Sequence, residues 1–224
     1  MTLHRRALLS GLAGLALARP ALSQPQSQSQ SQPPSGVGRD LAFRVLRNDS
    51  QIGTHTVSFT VAEGRLTARI ATDVKVGVGP ITVYRYTHRA EERWQAGTFL
   101  SLDAETNDNG TQARTTVRRE AEWLDVQGQK APRYQAPLNA LPLTHWNQAM
   151  LDGPVISSQT GELLRPVVTR IGPARVQTAA GPVEALHVTL RGDPELDTWY
   201  DEASTWLGLR LTARDGSTIR YERG

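Results

Sequence analysis

From residue 40 onward, apolar and polar positions alternate with a period of two. Leu41, Phe43 and Val45 alternate with Ala42 and Arg44. After Asn48-Asp49-Ser50, the set Gly53, His55, Val57, Phe59 and Val61 alternates with Thr54, Thr56, Ser58 and Thr60. After Glu63-Gly64 the pattern resumes through Leu66, Ala68, Ile70, Thr72, Val74, Val76 and Val78. Successive strand side chains point to opposite faces, so this alternation predicts strands with one packed and one wetted face. Further strands are predicted near 81–94, 98–106, 111–119, 174–179, 183–191, 196–200, 206–214 and 217–223, separated by Gly-, Asn- or Asp-rich turns. About ten antiparallel strands are too many for a flat open sheet, so the expected fold is all-β, an antiparallel meander curled into a barrel or half-barrel. The inner face of such a sheet is where a ligand would sit.

The last hairpin is specific enough to assign a register. A two-residue Asp215-Gly216 turn would put Ile219 and Tyr221 on the face of Arg210 and Arg214. A three-residue loop, Arg214-Asp215-Gly216, instead sets Leu211 opposite Ile219 and Leu209 opposite Tyr221, keeping the apolar residues together. That is a type I turn with a G1 bulge, Gly216 supplying the left-handed residue, and it is the expected form. Helical signal is confined to a turn or two around 143–151, with Thr144 as a possible N-cap, and the Pro-containing stretch 131–142 before it reads as irregular.

Residues 1–39 are of a different kind. His4-Arg5-Arg6 precedes a largely apolar run at 7–18, and Ala21-Leu22-Ser23 ends it, the pattern of an export signal cleaved after Ser23. Twelve residues rise only about 18 Å as a helix against a bilayer core of about 30 Å, which disfavours a membrane anchor. The paired arginines resemble a twin-arginine signal, although His4 and Leu8 depart from its usual residues. Residues 24–39, rich in Gln, Ser and Pro, read as a disordered tether, leaving 40–224 as a single domain. Cleavage also changes the charge. The chain of 224 residues has 25 basic and 22 acidic residues, a formal +3, and removal of Arg5, Arg6 and Arg19 leaves it neutral. With no clustered basic surface, nucleic acid is not an expected partner. The absence of cysteine excludes disulfides, thiol nucleophiles, thiolate zinc sites and iron–sulfur clusters.

The richest segment is Tyr84-Arg85-Tyr86-Thr87-His88-Arg89-Ala90-Glu91-Glu92-Arg93-Trp94. As one strand it presents Tyr84, Tyr86, His88, Glu92 and Trp94 on one face, and a ladder of charges, Arg85 to Arg93, on the other. The first face is either ordinary packing with polar tips or the lining of a ligand cavity, in which aromatic rings supply area and His88 and Glu92 supply orientation. His88 and Glu92 lie roughly 13 Å apart along the strand, too far to share a proton. His145-Trp146-Asn147, after the Pro-rich loop, is the other candidate contact, with Trp146 as plug or ligand wall. His55 reads as a hydrogen-bonded core residue. A metal shared by His55, His88 and His145 would require three distant elements to converge, and neither metal nor cofactor is expected. No Gly-x-Ser-x-Gly elbow, phosphate loop or His-Glu-x-x-His motif occurs.

Ile52-Gly53-Thr54-His55, the 84–94 segment, His145-Trp146-Asn147, Gln159-Thr160-Gly161, Trp199-Tyr200-Asp201 and Arg214-Asp215-Gly216-Ser217, in this order, resemble domain-of-unknown-function family 6134, a group of exported bacterial proteins. The resemblance implies an envelope location and a β-rich single domain, and brings no activity to any residue. The expected function is non-enzymatic: a periplasmic domain, with no membrane span once the signal is cleaved, binding an apolar or amphipathic small molecule or an envelope partner. The alternatives are a metal-free hydrolase or isomerase using His88 or His145 as base, and a structural envelope protein acting through a sheet edge.

Overall fold

The computed structural model describes residues 38–224 apart from Gly79, Pro80 and Lys130. The expected signal at 1–23 and nearly all of the expected tether lie outside the described residues. The chain opens with eight strands in succession: β1 (Leu41–Arg47), β2 (Ser50–Ala62), β3 (Arg65–Val78), β4 (Ile81–Gln95), β5 (Thr98–Asp108), β6 (Thr111–Arg119), β7 (Leu124–Gln127) and β8 (Tyr134–Ala136). A connecting segment carries β9 (Leu141–Pro142), a short 3-10 helix (Gln148–Asp152), β10 (Val155–Ile156) and β11 (Leu163–Leu164). Five strands complete the chain: β12 (Val167–Thr178), β13 (Gly181–Arg191), β14 (Leu196–Tyr200), β15 (Trp206–Thr212) and β16 (Thr218–Arg223).

Thirteen of these strands form one antiparallel sheet in the order β12-β13-β14-β15-β16-β1-β2-β3-β4-β5-β6-β7-β8, and β11-β10-β9 form a small second sheet. The all-β meander is as expected, but there are sixteen strands among the described residues rather than about ten. The excess lies mainly in 124–164, where two- to four-residue strands are too short to show a period. The barrel does not close by strand pairing, because β12 and β8 are the sheet's two ends. The sheet is nevertheless strongly curled. His55 on β2 and Trp206 on β15 are three strands apart, about 14 Å in a flat sheet, yet their ring centroids are 5.3 Å apart. Phe43 on β1 and Trp206 approach to 4.3 Å.

The register arranges the inner face in cross-strand rows. One runs Leu41–Val57–Ile70–Ala90–Ala104, and all five are buried. The connecting segment crosses this concave side and adds Trp146, Met150 and Leu151 to the core. The final hairpin has the expected register, Leu211 opposite Ile219 and Leu209 opposite Tyr221, with Gly216 at φ +80°. The expected helical turns at 143–151 are displaced. The 3-10 helix starts at Gln148 with Asn147 as its cap, its side-chain oxygen accepting from the Ala149 amide, because Thr144 is engaged elsewhere. The stretch 131–142, expected to be irregular, contains β8 and β9.

Candidate functional site

Above the apolar row lies a row of alternating imidazoles and hydroxyls: Phe43–His55–Thr72–His88–Thr106 across β1 to β5. Directly opposed residues on one face are within side-chain reach, and each histidine bonds the threonine of the next strand. His55 Nδ1 lies 2.8 Å from Thr72 Oγ1, and His88 Nδ1 lies 2.8 Å from Thr106 Oγ1. Each of these four polar residues is buried. From the connecting segment, Ser158 Oγ reaches His88 Nε2 at 3.2 Å, while His145 stacks on Trp206 with centroids 5.3 Å apart.

Three histidines thus converge from elements far apart in sequence. Burial holds all of them below the ordinary imidazole range: His55 at about 3, with His145 and His88 adding to the effect, His88 at about 4 and His145 at about 4. At neutral pH they are uncharged. His55 Nε2 and His145 Nδ1 are buried without a hydrogen-bond partner. Among the described residues no three His, Asp, Glu or Cys side chains are grouped as a metal ion would require. His145 also sits at φ +67°, a left-handed conformation that is uncommon outside glycine.

Below the apolar row, Glu92 is fully buried and accepts three hydrogen bonds from uncharged groups: Thr144 Oγ1 at 2.5 Å, Trp146 Nε1 at 3.2 Å and Trp94 Nε1 at 2.9 Å. Burial raises its carboxyl to about 7, and the three donors pull the other way without cancelling it. Trp146 packs edge-on against Phe59 and Trp94. Trp146 is itself fully buried at this end of the trough.

The other end is open. Tyr221, Val45, Gly53, Val74 and Tyr86 form a row in which Val74, Tyr86 and Tyr221 are partly exposed, as are Val76, Tyr84, Leu211 and Ile219 beyond it. Tyr84 donates to Asp108 Oδ1 at 2.8 Å, and burial with this bond raises its phenol to about 12. Burial raises the Tyr221 hydroxyl to about 12 as well. The Tyr86 phenol is raised by burial and then by Tyr221. Tyr86 on β4 and Tyr221 on β16, four strands apart in the sheet, thus lie near enough for Tyr221 to act on Tyr86.

The eight expected site residues therefore divide. Tyr84 and Tyr86 line the mouth, and His88 lies in the floor behind them. Glu92, Trp94 and Trp146 form the sealed end, His145 stacks on Trp206 between the two regions, and Asn147 caps the 3-10 helix. Sequence reasoning missed Thr72 and Thr106, whose roles depend on cross-strand neighbours, Thr144 and Ser158, which reach β4 from the connecting segment, and Tyr221, whose place inside the mouth follows from the β16–β1 pairing. Two surface clefts of about 610 and 570 Å³ are present, one lined by Arg191, Asp197, Arg210, Leu211 and Arg220, the other by Trp123, Arg133 and Tyr134.

The sequence from residue 43 to 224 matches the model of the family described as a domain of unknown function, DUF6134. The chain belongs to that family. No curated protein matches it. Among solved structures, this DUF6134 domain is similar to the crystal structure of a β-barrel-like protein of domain of unknown function DUF1849 from Brucella abortus. The TM-score is 0.57 at 9% identity, covering 83% of this chain and 94% of the other. At that identity the likeness concerns the fold alone, and the DUF6134 site has to be read from its own residues.

Proposed function

We propose that this chain is a periplasmic binding protein that takes an amphipathic small molecule into the open end of its curled sheet. The observation that carries the reading is the gradient along the inner face. It is closed and aromatic at Trp94 and Trp146, and partly exposed, aliphatic and tyrosyl at Val74, Val76, Tyr86, Leu211, Ile219 and Tyr221. An apolar wall with a few hydroxyls is the usual composition of a small-molecule site. The aliphatic residues fit the body of the ligand and the Tyr86 and Tyr221 hydroxyls its polar group. The export-like residues 1–23 support the periplasmic location. The hydrolytic alternative rests on the Ser158–His88–Thr106 chain of contacts, in which Ser158 and His88 are both buried.

The test is native mass spectrometry of the mature chain recovered from its own periplasm without detergent, beside Tyr86→Ala. An adduct of a few hundred daltons on the parent, lost or depleted in the variant, is the expected result. A bare polypeptide mass for the parent, with no uptake of added long-chain amphiphiles, would overturn the reading.

A further inference from the structure

Beyond the mouth, the described part of the β3–β4 hairpin carries two aliphatic residues that packing among the described residues does not cover. Ile81 and Val83 are 66% and 52% exposed. The register shifts between Val76 and Gly77: Val76 faces Tyr84 and Gly77 faces Thr82, so Val83 is the extra residue of a bulge and has no partner across the pair. Four residues after Ile81, Arg85 sits directly opposite Lys75. Like charges directly opposed on neighbouring strands are destabilising, and among the described residues neither side chain has a carboxylate partner. The nearby acids are already engaged: Asp73 holds Arg89 through both oxygens, and Asp108 accepts from Tyr84. Across the mouth, Arg214 lies near enough to Tyr84 to act on its hydroxyl. The other exposed aliphatic residues lack this setting. Ile171, for example, is the extra residue of a bulge between Arg170 and Gly172 on the end strand β12, a common protection of a sheet edge.

We propose that this hairpin end docks on an anionic lipid bilayer, Ile81 and Val83 entering the headgroup region and Lys75 and Arg85 meeting lipid phosphates. The charge pair that costs stability in the free protein is satisfied there, and apolar side chains beside cations are the composition that interfacial segments use. Docking in this way sets the tyrosine-lined mouth against the lipid surface. The inference goes beyond the binding reading and stands without it.

The experiment is co-sedimentation of the mature chain from Gln24 with vesicles of phosphatidylglycerol and phosphatidylcholine, against phosphatidylcholine alone. Two paired variants accompany it, Ile81→Ser with Val83→Ser and Lys75→Gln with Arg85→Gln, each checked for an unchanged circular dichroism spectrum and melting temperature. Expected are preferential binding to the anionic vesicles that weakens with salt, and a loss of about 30-fold on removing the two cations. A loss of roughly 10-fold or more is expected on removing the two aliphatic side chains. Absence of binding to anionic vesicles, equal binding by all three proteins, or dependence on a membrane protein rather than lipid would each overturn the proposal. Native mass spectrometry of the same variants separates the two readings: a missing adduct with vesicle binding intact removes the small-molecule reading alone.

Discussion

A carboxylate that accepts three hydrogen bonds and has no cation beside it among the described residues is an unusual thing to bury, and Glu92 makes the stability of this protein depend on pH in a particular way. Its carboxyl is raised from 4.5 to about 7 in the folded state, so the fold binds its proton more tightly than the unfolded chain does. Its contribution is fully present below 4.5 and is lost as the pH rises through about 7. The loss is at most roughly 3 kcal/mol. His55, His88 and His145 act in the opposite sense: lowered from 6.5 to between about 3 and about 4, they contribute stability present above 6.5 and lost as the pH falls towards 4. Between pH 4.5 and 6.5 the two effects oppose one another. Glu92→Gln removes one of them, so its unfolding free energy is expected to climb more steeply than the parent's from pH 5 to pH 7.5. Urea denaturation at the two pH values measures this; equal slopes for parent and variant would show that Glu92 does not titrate in this range.

At the scale of elements, the last hairpin shows what was legible in advance. Apolar residues at every second position, and a loop whose third residue is glycine, identify both the register and the bulge, because moving either by one residue turns Ile219 and Tyr221 to the wrong face. Gly216 is exposed, and a Cβ there would meet nothing within 4 Å. Gly216→Ala should therefore cost only the left-handed conformation, about 1 kcal/mol, read as a lower urea midpoint with an unchanged m-value. The connecting segment from 137 to 166 was much less legible. Its strands are two residues long, its helix is a single 3-10 turn, and its polar residues find partners on strands more than fifty residues away, as Thr144 and Trp146 do with Glu92. Composition predicts helix and cap there, but the tertiary partner wins: the hydroxyl that would have capped at Thr144 is spent on a buried carboxylate, and Asn147 caps instead. The same limit applies to the site. Tyr84, Tyr86, His88, Glu92 and Trp94 were legible as one face of a strand, whereas their division into mouth, floor and seal needed the curl of the sheet.

At the scale of the whole molecule, the sheet consists of two meanders, β1 to β8 and β12 to β16, joined edge to edge by the pairing of β16 with β1. Phe43 lies opposite Arg223, and the Gly224 amide donates to the Ala42 carbonyl at 2.8 Å. The inner rows from Tyr221 to Tyr86, and the closeness of His55 to Trp206, exist only because of that seam. A ribosome makes β1 first and β16 last. While the chain grows, β1 therefore has a bare edge for as long as the rest of the protein takes to appear, and such an edge invites pairing with another molecule. A chain stopped after Ser217 lacks a strand from the middle of its sheet, not a fringe, and is expected to accumulate as aggregate. Soluble, monomeric protein with native-like circular dichroism from such a chain would contradict this. Residues 218–224 thus hold the two meanders in one sheet.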